Sequence, residues 1–327
     1  MKDKLKVLIV GAGNIASLFD KKLCSQSKPL THTGAYLRNG CFEIVACVER
    51  DLERRKAFLQ TWNIQHGFEN IADINKEKFQ FDVISICTNT SSHYLDINQA
   101  IKLTPKLIFS EKPITPSYSD SQSIVDICRA SEILLAVNYS RRWDPEVMEL
   151  KRKLIAGLLG RIHSVVGIYN KGILNNGTHL FDLIELLFGK INLIATGKAV
   201  YDYSANDPSV PALLESLSGV PINIAIGDSR DYSIFELHIY LSSGVISMEM
   251  GGQKWRIRKV VDSIRFEGYK EPSKINSFMG TQDAVMLNAV ENIRTAIVDQ
   301  EALLSTGETA LASQWISEKI MSNLNKD

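Results

Sequence analysis

Five continuous apolar runs of strand length, at residues 6–10, 42–48, 81–87, 106–110 and 133–137, alternate with stretches of helical spacing at 14–23, 52–62, 94–103 and 118–131. Runs that are apolar on both faces belong to strands covered on both sides, and that requires a parallel sheet with crossover helices. The alternation therefore predicts a doubly wound α/β domain over residues 1–140.

After Arg141-Arg142-Trp143-Asp144-Pro145 the texture changes. A helix at 146–156 is followed by longer strands at 162–169, 193–203, 222–226, 232–241 and 245–250. In the fourth, Phe235, Leu237, Ile239 and Leu241 share one face while Glu236, His238 and Tyr240 share the other. Period two with one apolar face indicates antiparallel pairing, and Ser242-Ser243-Gly244 supplies a hairpin turn. Residues 141–327 are thus expected to form an α+β domain with a mainly antiparallel open sheet. Helices at 179–187 and 284–298 are expected to cover its apolar face, with a last helix at 308–324.

The first strand runs into Gly11-Ala12-Gly13-Asn14-Ile15-Ala16, a G-x-G-x-x-A pattern. Gly11 permits the tight turn, Gly13 lets the backbone approach a pyrophosphate, and Ala16 allows close packing of helix on strand. With Asn14 and Ile15 at a helix N-terminus, the pattern reads as a dinucleotide site in a Rossmann domain. Glu49 ends the second strand, where an acid binds ribose hydroxyls and disfavours a 2′-phosphate; NAD is the expected cofactor. Arg50 beside it suits either a 2′-phosphate or stacking on adenine, which leaves NADP open. The interval from Gly11 to Glu49 exceeds the usual ~20 residues. An insertion is expected around residues 20–30.

The 327 residues carry 37 basic and 37 acidic side chains, so the global positive charge of a nucleic-acid binder is missing. No apolar run reaches the ~18–20 residues of a membrane span. The charged N-terminus before the first strand lacks a small-residue cleavage site, and a cytoplasmic protein is expected. Cys24, Cys41, Cys47, Cys87 and Cys128 show no C-x-x-C spacing and read as reduced thiols. His32, His66, His163 and His238 lack metal-ligand spacing and read as structural or exposed; no metal site is expected.

The fingerprint, Ser85-Ile86-Cys87-Thr88-Asn89-Thr90 with His93, Glu111-Lys112-Pro113, and Gly177-Thr178-His179 together resemble the Gfo/Idh/MocA family of sugar and cyclitol oxidoreductases. The resemblance extends to Ser305-Thr306-Gly307-Glu308 before the last helix. It implies that Lys112 lies between nicotinamide and substrate, with Glu111, Thr88, Asn89 and His93 on the cofactor side and Asn138 and Arg142 near the cleft. It also implies a sugar-like substrate, a second domain that forms the substrate floor, and a homodimer or homotetramer. The family's D-x-G-x-H signature is altered here: His179 matches, but Asn175 stands where the aspartate is expected.

Removing a hydroxyl proton during oxidation needs a base, and Lys112 and His179 are the candidates to share it. Lys112 could act as base or as electrostatic clamp on a developing alkoxide. Asn175, Asn176, Lys171, Arg142 and Asn138 are the candidates for binding polar substrate groups. Two further readings use the same fold: a dinucleotide sensor without turnover, and an NAD-dependent glycosidase that oxidises and re-reduces one sugar.

Overall fold

The computed structural model describes residues 4–21 and 28–324. They separate into two compact units, one up to Trp143 together with Asp283–Leu311, the other Asp144–Gln282 together with the chain from Ala312.

In the first unit, strands β1 (Leu5–Val10), β2 (Phe42–Val48), β3 (His66–Phe68), β4 (Val83–Ile86), β5 (Leu107–Ser110) and β6 (Leu134–Val137) form one sheet in the order β3-β2-β1-β4-β5-β6. Every pairing is parallel. The sheet is buried on both faces, as the unbroken apolar runs require: Val7 and Ile9 point into one cluster, Leu8 and Val10 into another. Helices α1 (His32–Asn39), α2 (Leu52–Trp62), α3 (Thr90–Ile101) and α4 (Tyr118–Ala130) are the crossovers. The order reverses between β1 and β4, which places a ligand crevice at their carboxyl ends.

The helix expected at 14–23 is not continuous, and its last two residues lie outside the described ones. One irregular turn follows the fingerprint, with the N–H groups of Ser17 and Leu18 both donating to Gly13 O, and a short 3₁₀ turn covers Leu18–Asp20. The helical path resumes at α1, where His32 N–H donates to Ile15 O at 3.2 Å and Thr33 N–H to Ala16 O at 3.0 Å. Among the described residues the first crossover is therefore an irregular turn, a 3₁₀ turn and α1 rather than one helix. The buried Asp20 carboxylate closes the excursion by accepting from Leu30 N–H at 2.8 Å, from Thr31 N–H at 3.0 Å and from the Thr31 hydroxyl. Thr31 Oγ1 in turn caps α1 by accepting from Gly34 N–H.

The second unit is built on a mixed sheet of nine strands: α5 (Pro145–Ile155) leads to β7 (Ile162–Tyr169), α6 (Thr178–Phe188) and β8 (Ile191–Thr196). A separate hairpin, β9 (Val200–Ser204) with β10 (Asp207–Ser209), precedes β11 (Ala212–Ser216), β12 (Pro221–Ile226), β13 (Phe235–Leu241) and β14 (Gly244–Glu249). Strands β15 (Lys254–Asp262), β16 (Lys270–Pro272) and β17 (Asn276–Met279) complete the sheet. Only β7 with β12 is parallel; the other pairings are antiparallel. The single strand expected at 193–203 is broken at Gly197, whose N–H turns to Pro211 O, and its second half joins the hairpin.

The inner face of the second sheet carries Val165, Leu237 and Ile239 against Leu180, Phe181, Ile184 and Val147 of α6 and α5, and against Ile316 and Ile320 of the last helix, α8 (Gly307–Leu324). Helix α7 (Val285–Val298) does not cover this sheet, contrary to the reading of its sequence. Its Met286, Ala289, Val290 and Ile293 are buried with Ala35, Tyr36 and Phe109 in the first unit. An amphipathic period shows that a helix has an apolar face but does not say which sheet receives it.

Candidate functional site

A cleft opens where β1, β2 and β4 end. It is lined by Gly11 and Gly13 after β1, Glu49, Arg50 and Arg54 after β2, Glu69 and Asn70 after β3, and Thr88, Asn89 and Asp96 after β4. Gly11 has φ +89°, and a Cβ there would meet Cys87 O at 2.9 Å; only glycine fits the turn. A Cβ on Gly13 would meet nothing within 4 Å among the described residues, because it would project into the cleft. The first helical bonds here are made by Ser17 and Leu18; Gly11 N–H goes to Val48 O and Ala12 N–H to Glu49, which leaves the N–H groups of residues 13–16 outside the helical ladder. Glycine-lined space, backbone donors and an acid at the next strand end are the donor set of a dinucleotide, and the residues fit that group. Ala16 is fully buried beneath the turn.

Glu49 is anchored by two backbone donors: Ala12 N–H reaches Oε2 at 3.0 Å and Asp51 N–H reaches Oε1 at 3.0 Å. Arg54 stands 3.7 Å from Oε2. On the opposite wall, the Thr88 hydroxyl donates to Asp96 Oδ2 at 2.7 Å, and Asn89 is the N-cap residue of α3.

His93 lies behind this wall rather than on it. Its ring is fully buried, with Nδ1 3.0 Å from Pro113 O and Nε2 3.0 Å from Thr88 O. The side chain therefore joins the loop after β4 to the Glu111-Lys112-Pro113 segment after β5. Glu111 is also set back from the cleft. Its Oε1 receives Asn138 Nδ2 at 2.7 Å and lies 3.0 Å from His32 Nε2. Burial raises the Glu111 pKa, but the hydrogen bonds from His32 and Asn138 and the positive charges of His32 and Lys112 outweigh it and hold the carboxyl below its ordinary value. Asn138, expected on the substrate, has its amide on Glu111. Arg142 is buried, with its guanidinium 3.5 Å from Leu304 O.

In the second unit, Lys171 precedes a π-type turn over Ile173–Gly177 that carries Asn175 and Asn176, and His179 is the second residue of α6. Lys171 has φ 68° and Gly172 φ 80°, and the hairpin β9–β10 holds this strained entry. Asp202 accepts Lys171 N–H at 2.9 Å, while Asp207 accepts Leu174 N–H at 2.8 Å and Asn175 N–H at 3.0 Å. Burial raises the Asp202 pKa, but donors from Lys171, Ser209 and Ser229 override it and keep the carboxyl below its ordinary value. Asn175 Nδ2 donates to Lys171 O at 3.0 Å, and Asn176 Nδ2 to Asn170 O at 2.8 Å. Both amides fasten the turn that carries them.

A family model described as "Oxidoreductase family, NAD-binding Rossmann fold" matches residues 5–139. Over those residues the chain is similar to the Gfo/Idh/MocA oxidoreductases. Among curated relatives, inositol 2-dehydrogenase of Rhizobium meliloti (strain 1021) is 24% identical over 259 residues, covering 72% of this chain and 76% of the relative. Among solved structures, a 3-ketoreductase from Actinomadura kijaniata in complex with NADP and TDP-benzene superposes with a TM-score of 0.77 at 15% identity, covering 98% of each chain. An oxidoreductase from Agrobacterium radiobacter in complex with NAD⁺, L-tartaric acid and magnesium gives 0.73 at 16% identity, covering 98% of this chain and 96% of the other. Both share the fold of this chain, and the family model that matches its first unit is of an NAD-binding Rossmann domain.

The glycine fingerprint and Glu49 were legible as local motifs, whereas Arg54, Glu69, Asn70 and Asp96 of the same cleft were not singled out. Arg54 and Asp96 face the cleft from helices α2 and α3, and Asn70 follows a strand of only three residues. Asp202 and Asp207 lie some 30 residues beyond the turn they hold, as the separations of 31 and 33 show. Among the described residues no group of histidine, cysteine and acidic side chains could hold a metal ion, and no helix is long and apolar enough to cross a membrane.

Proposed function

We propose that the chain is an NAD(P)-dependent dehydrogenase or reductase acting on a hydroxyl-bearing carbon of a sugar, polyol or nucleotide sugar. The observation that carries this reading is the cleft itself, with Gly13 open to it and Glu49 anchored at its far end. The substrate class rests on relatives: an inositol 2-dehydrogenase in sequence and a 3-ketoreductase in complex with TDP-benzene in fold.

Bound nicotinamide supplies hydride exchange with the carbinol carbon. In this reading Lys112 and His179 hold the proton that the hydroxyl group gives up, and Lys171, Asn175, Asn176 and Arg142 hold polar groups of the substrate. Asn138 is reassigned by its bond to Glu111 to holding the segment that carries Lys112. Glu49 favours NAD, while Arg50 and Arg54 line the same end and make NADP the competing cofactor. The polar sheet face with Glu236, His238 and Tyr240 is our candidate for contact in a homodimer or homotetramer. Buried thiols at Cys47, Cys87 and Cys128 suit a reducing compartment, and we place the chain in the cytoplasm on that ground.

The test is turnover of NAD⁺ and NADP⁺ by the purified chain across inositols, pentoses, hexoses and nucleotide sugars. Oxidation of at least one class with reduced nicotinamide released is the expected result. Cofactor binding with no turnover of any compound would favour the sensor reading. NAD that stays bound while a glycoside is cleaved would favour the glycosidase.

A further inference from the structure

His32 is a histidine that the proposed chemistry does not use, yet it occupies a junction. Its side chain is fully buried, and its ring lies against Phe109 with centroids 4.3 Å apart. Glu111 is held ionised, hence an acceptor only, so the 3.0 Å contact at Nε2 is an N–H donated to the carboxylate. Nδ1 is buried with no hydrogen-bond partner among the described residues. The same residue's backbone N–H donates to Ile15 O, inside the turn that follows Gly13. One residue thus bonds the dinucleotide-binding turn with its main chain and the neighbour of Lys112 with its side chain.

The path of the first crossover explains how it gets there. Asp20 fixes Thr31, Thr31 caps α1, and His32 is the first residue of that helix. Placed anywhere else on α1, the imidazole would not share a peptide with the bond to Ile15. Asn138 fixes Glu111 from the other side, so the carboxylate has one position available.

We propose that His32 is a positioning residue, which transmits the order imposed on the residue 13–17 turn by a bound dinucleotide to the Glu111-Lys112 segment. This rests on the reading above, that the dinucleotide sits on that turn and Lys112 serves the reaction. Coupling of this kind needs a continuous chain of bonds between the two segments, and here it is two hydrogen bonds long.

The probe is ADP-ribose, which has the pyrophosphate but no nicotinamide and so gives residues 110–115 no direct nicotinamide contact. Backbone hydrogen exchange of the full chain is followed by mass spectrometry with and without it. In the wild type, exchange should slow by about threefold or more at residues 11–17 and also at 110–115. His32→Leu should keep the first effect and lose the second, and His32→Gln, which restores a donor, should recover it. Glu111→Gln, which replaces the charge-assisted bond by a neutral one, should weaken the second effect alone and decides the matter where His32→Leu does not fold. Slowing at 110–115 that survives in His32→Leu, or in Glu111→Gln where that variant must decide, overturns the proposal. So does a wild type that responds only at 11–17. No response at residues 11–17 in the wild type would instead overturn the cofactor reading on which the proposal rests.

Discussion

The Glu49 carboxylate accepts the Ala12 N–H at 3.0 Å, which ties the end of the second strand to the glycine-rich turn. The acid proposed to read the ribose is therefore positioned by the same loop proposed to receive the pyrophosphate. Replacing it by glutamine removes the negative charge while Arg50 and Arg54 stay in the cleft. Glu49→Gln should lower the preference for NAD over NADP by about tenfold, on the order of 1.4 kcal/mol, in paired titrations of the two reduced cofactors.

The two fingerprint glycines should respond differently to alanine. At Gly11 the positive φ and the 2.9 Å approach to Cys87 O strain any side chain, so Gly11→Ala should destabilise the first unit by about 1–3 kcal/mol. At Gly13 the added methyl group meets only cleft space. Gly13→Ala should leave the thermal midpoint near that of the wild type and weaken NADH binding by about tenfold or more. Calorimetry and fluorescence titration separate the two effects.

Asn175 donates to Lys171 O, and its backbone N–H is already taken by the Asp207 carboxylate. An aspartate at this position could not donate, and its charge would face a carbonyl oxygen and stand near a second carboxylate. Asn175→Asp should therefore cost about 1–3 kcal/mol of stability, measured by denaturant unfolding, in spite of its similar size. Asn175→Ala should cost less, because it removes the donor without adding a charge.

Glu111 links stability to acid. Its folded pKa lies below the ordinary 4.5, so its contribution is present above that value and is lost as pH falls through the lowered one. The wild-type melting temperature should fall along this limb. Glu111→Gln, which has no proton to gain, should show a flatter dependence below about pH 4.5. Equal slopes for the two proteins would assign acid sensitivity elsewhere.

Much of the first unit was legible because a parallel sheet buries both faces and writes continuous apolar runs; β2 and α2 have the bounds that their sequences suggest. Helix α1 was not legible, since His32–Asn39 is eight residues long, contains Gly34 and Asn39, and takes its first bonds from a turn on the far side of the insertion. Strands β16 and β17 were missed for another reason: both are exposed throughout, so no apolar alternation marks them, and β15 alternates only over Lys254 to Arg258 before its exposed second half. Of the candidate site, Gly11, Gly13 and Glu49 could be read because a phosphate imposes local spacing. The pairing of His32 with Glu111 could not, because it joins residues 79 apart through a fold that only tertiary packing creates.

The proposed reaction is oxidation or reduction of a hydroxyl-bearing carbon, with Lys112 handling the proton. The direct measurement is steady-state turnover of Lys112→Met beside NADH affinity, on the best substrate from the panel. A fall in kcat of about 100-fold or more is expected, with NADH binding within a few-fold of the wild type. Turnover that survives the substitution at the wild-type rate would contradict it.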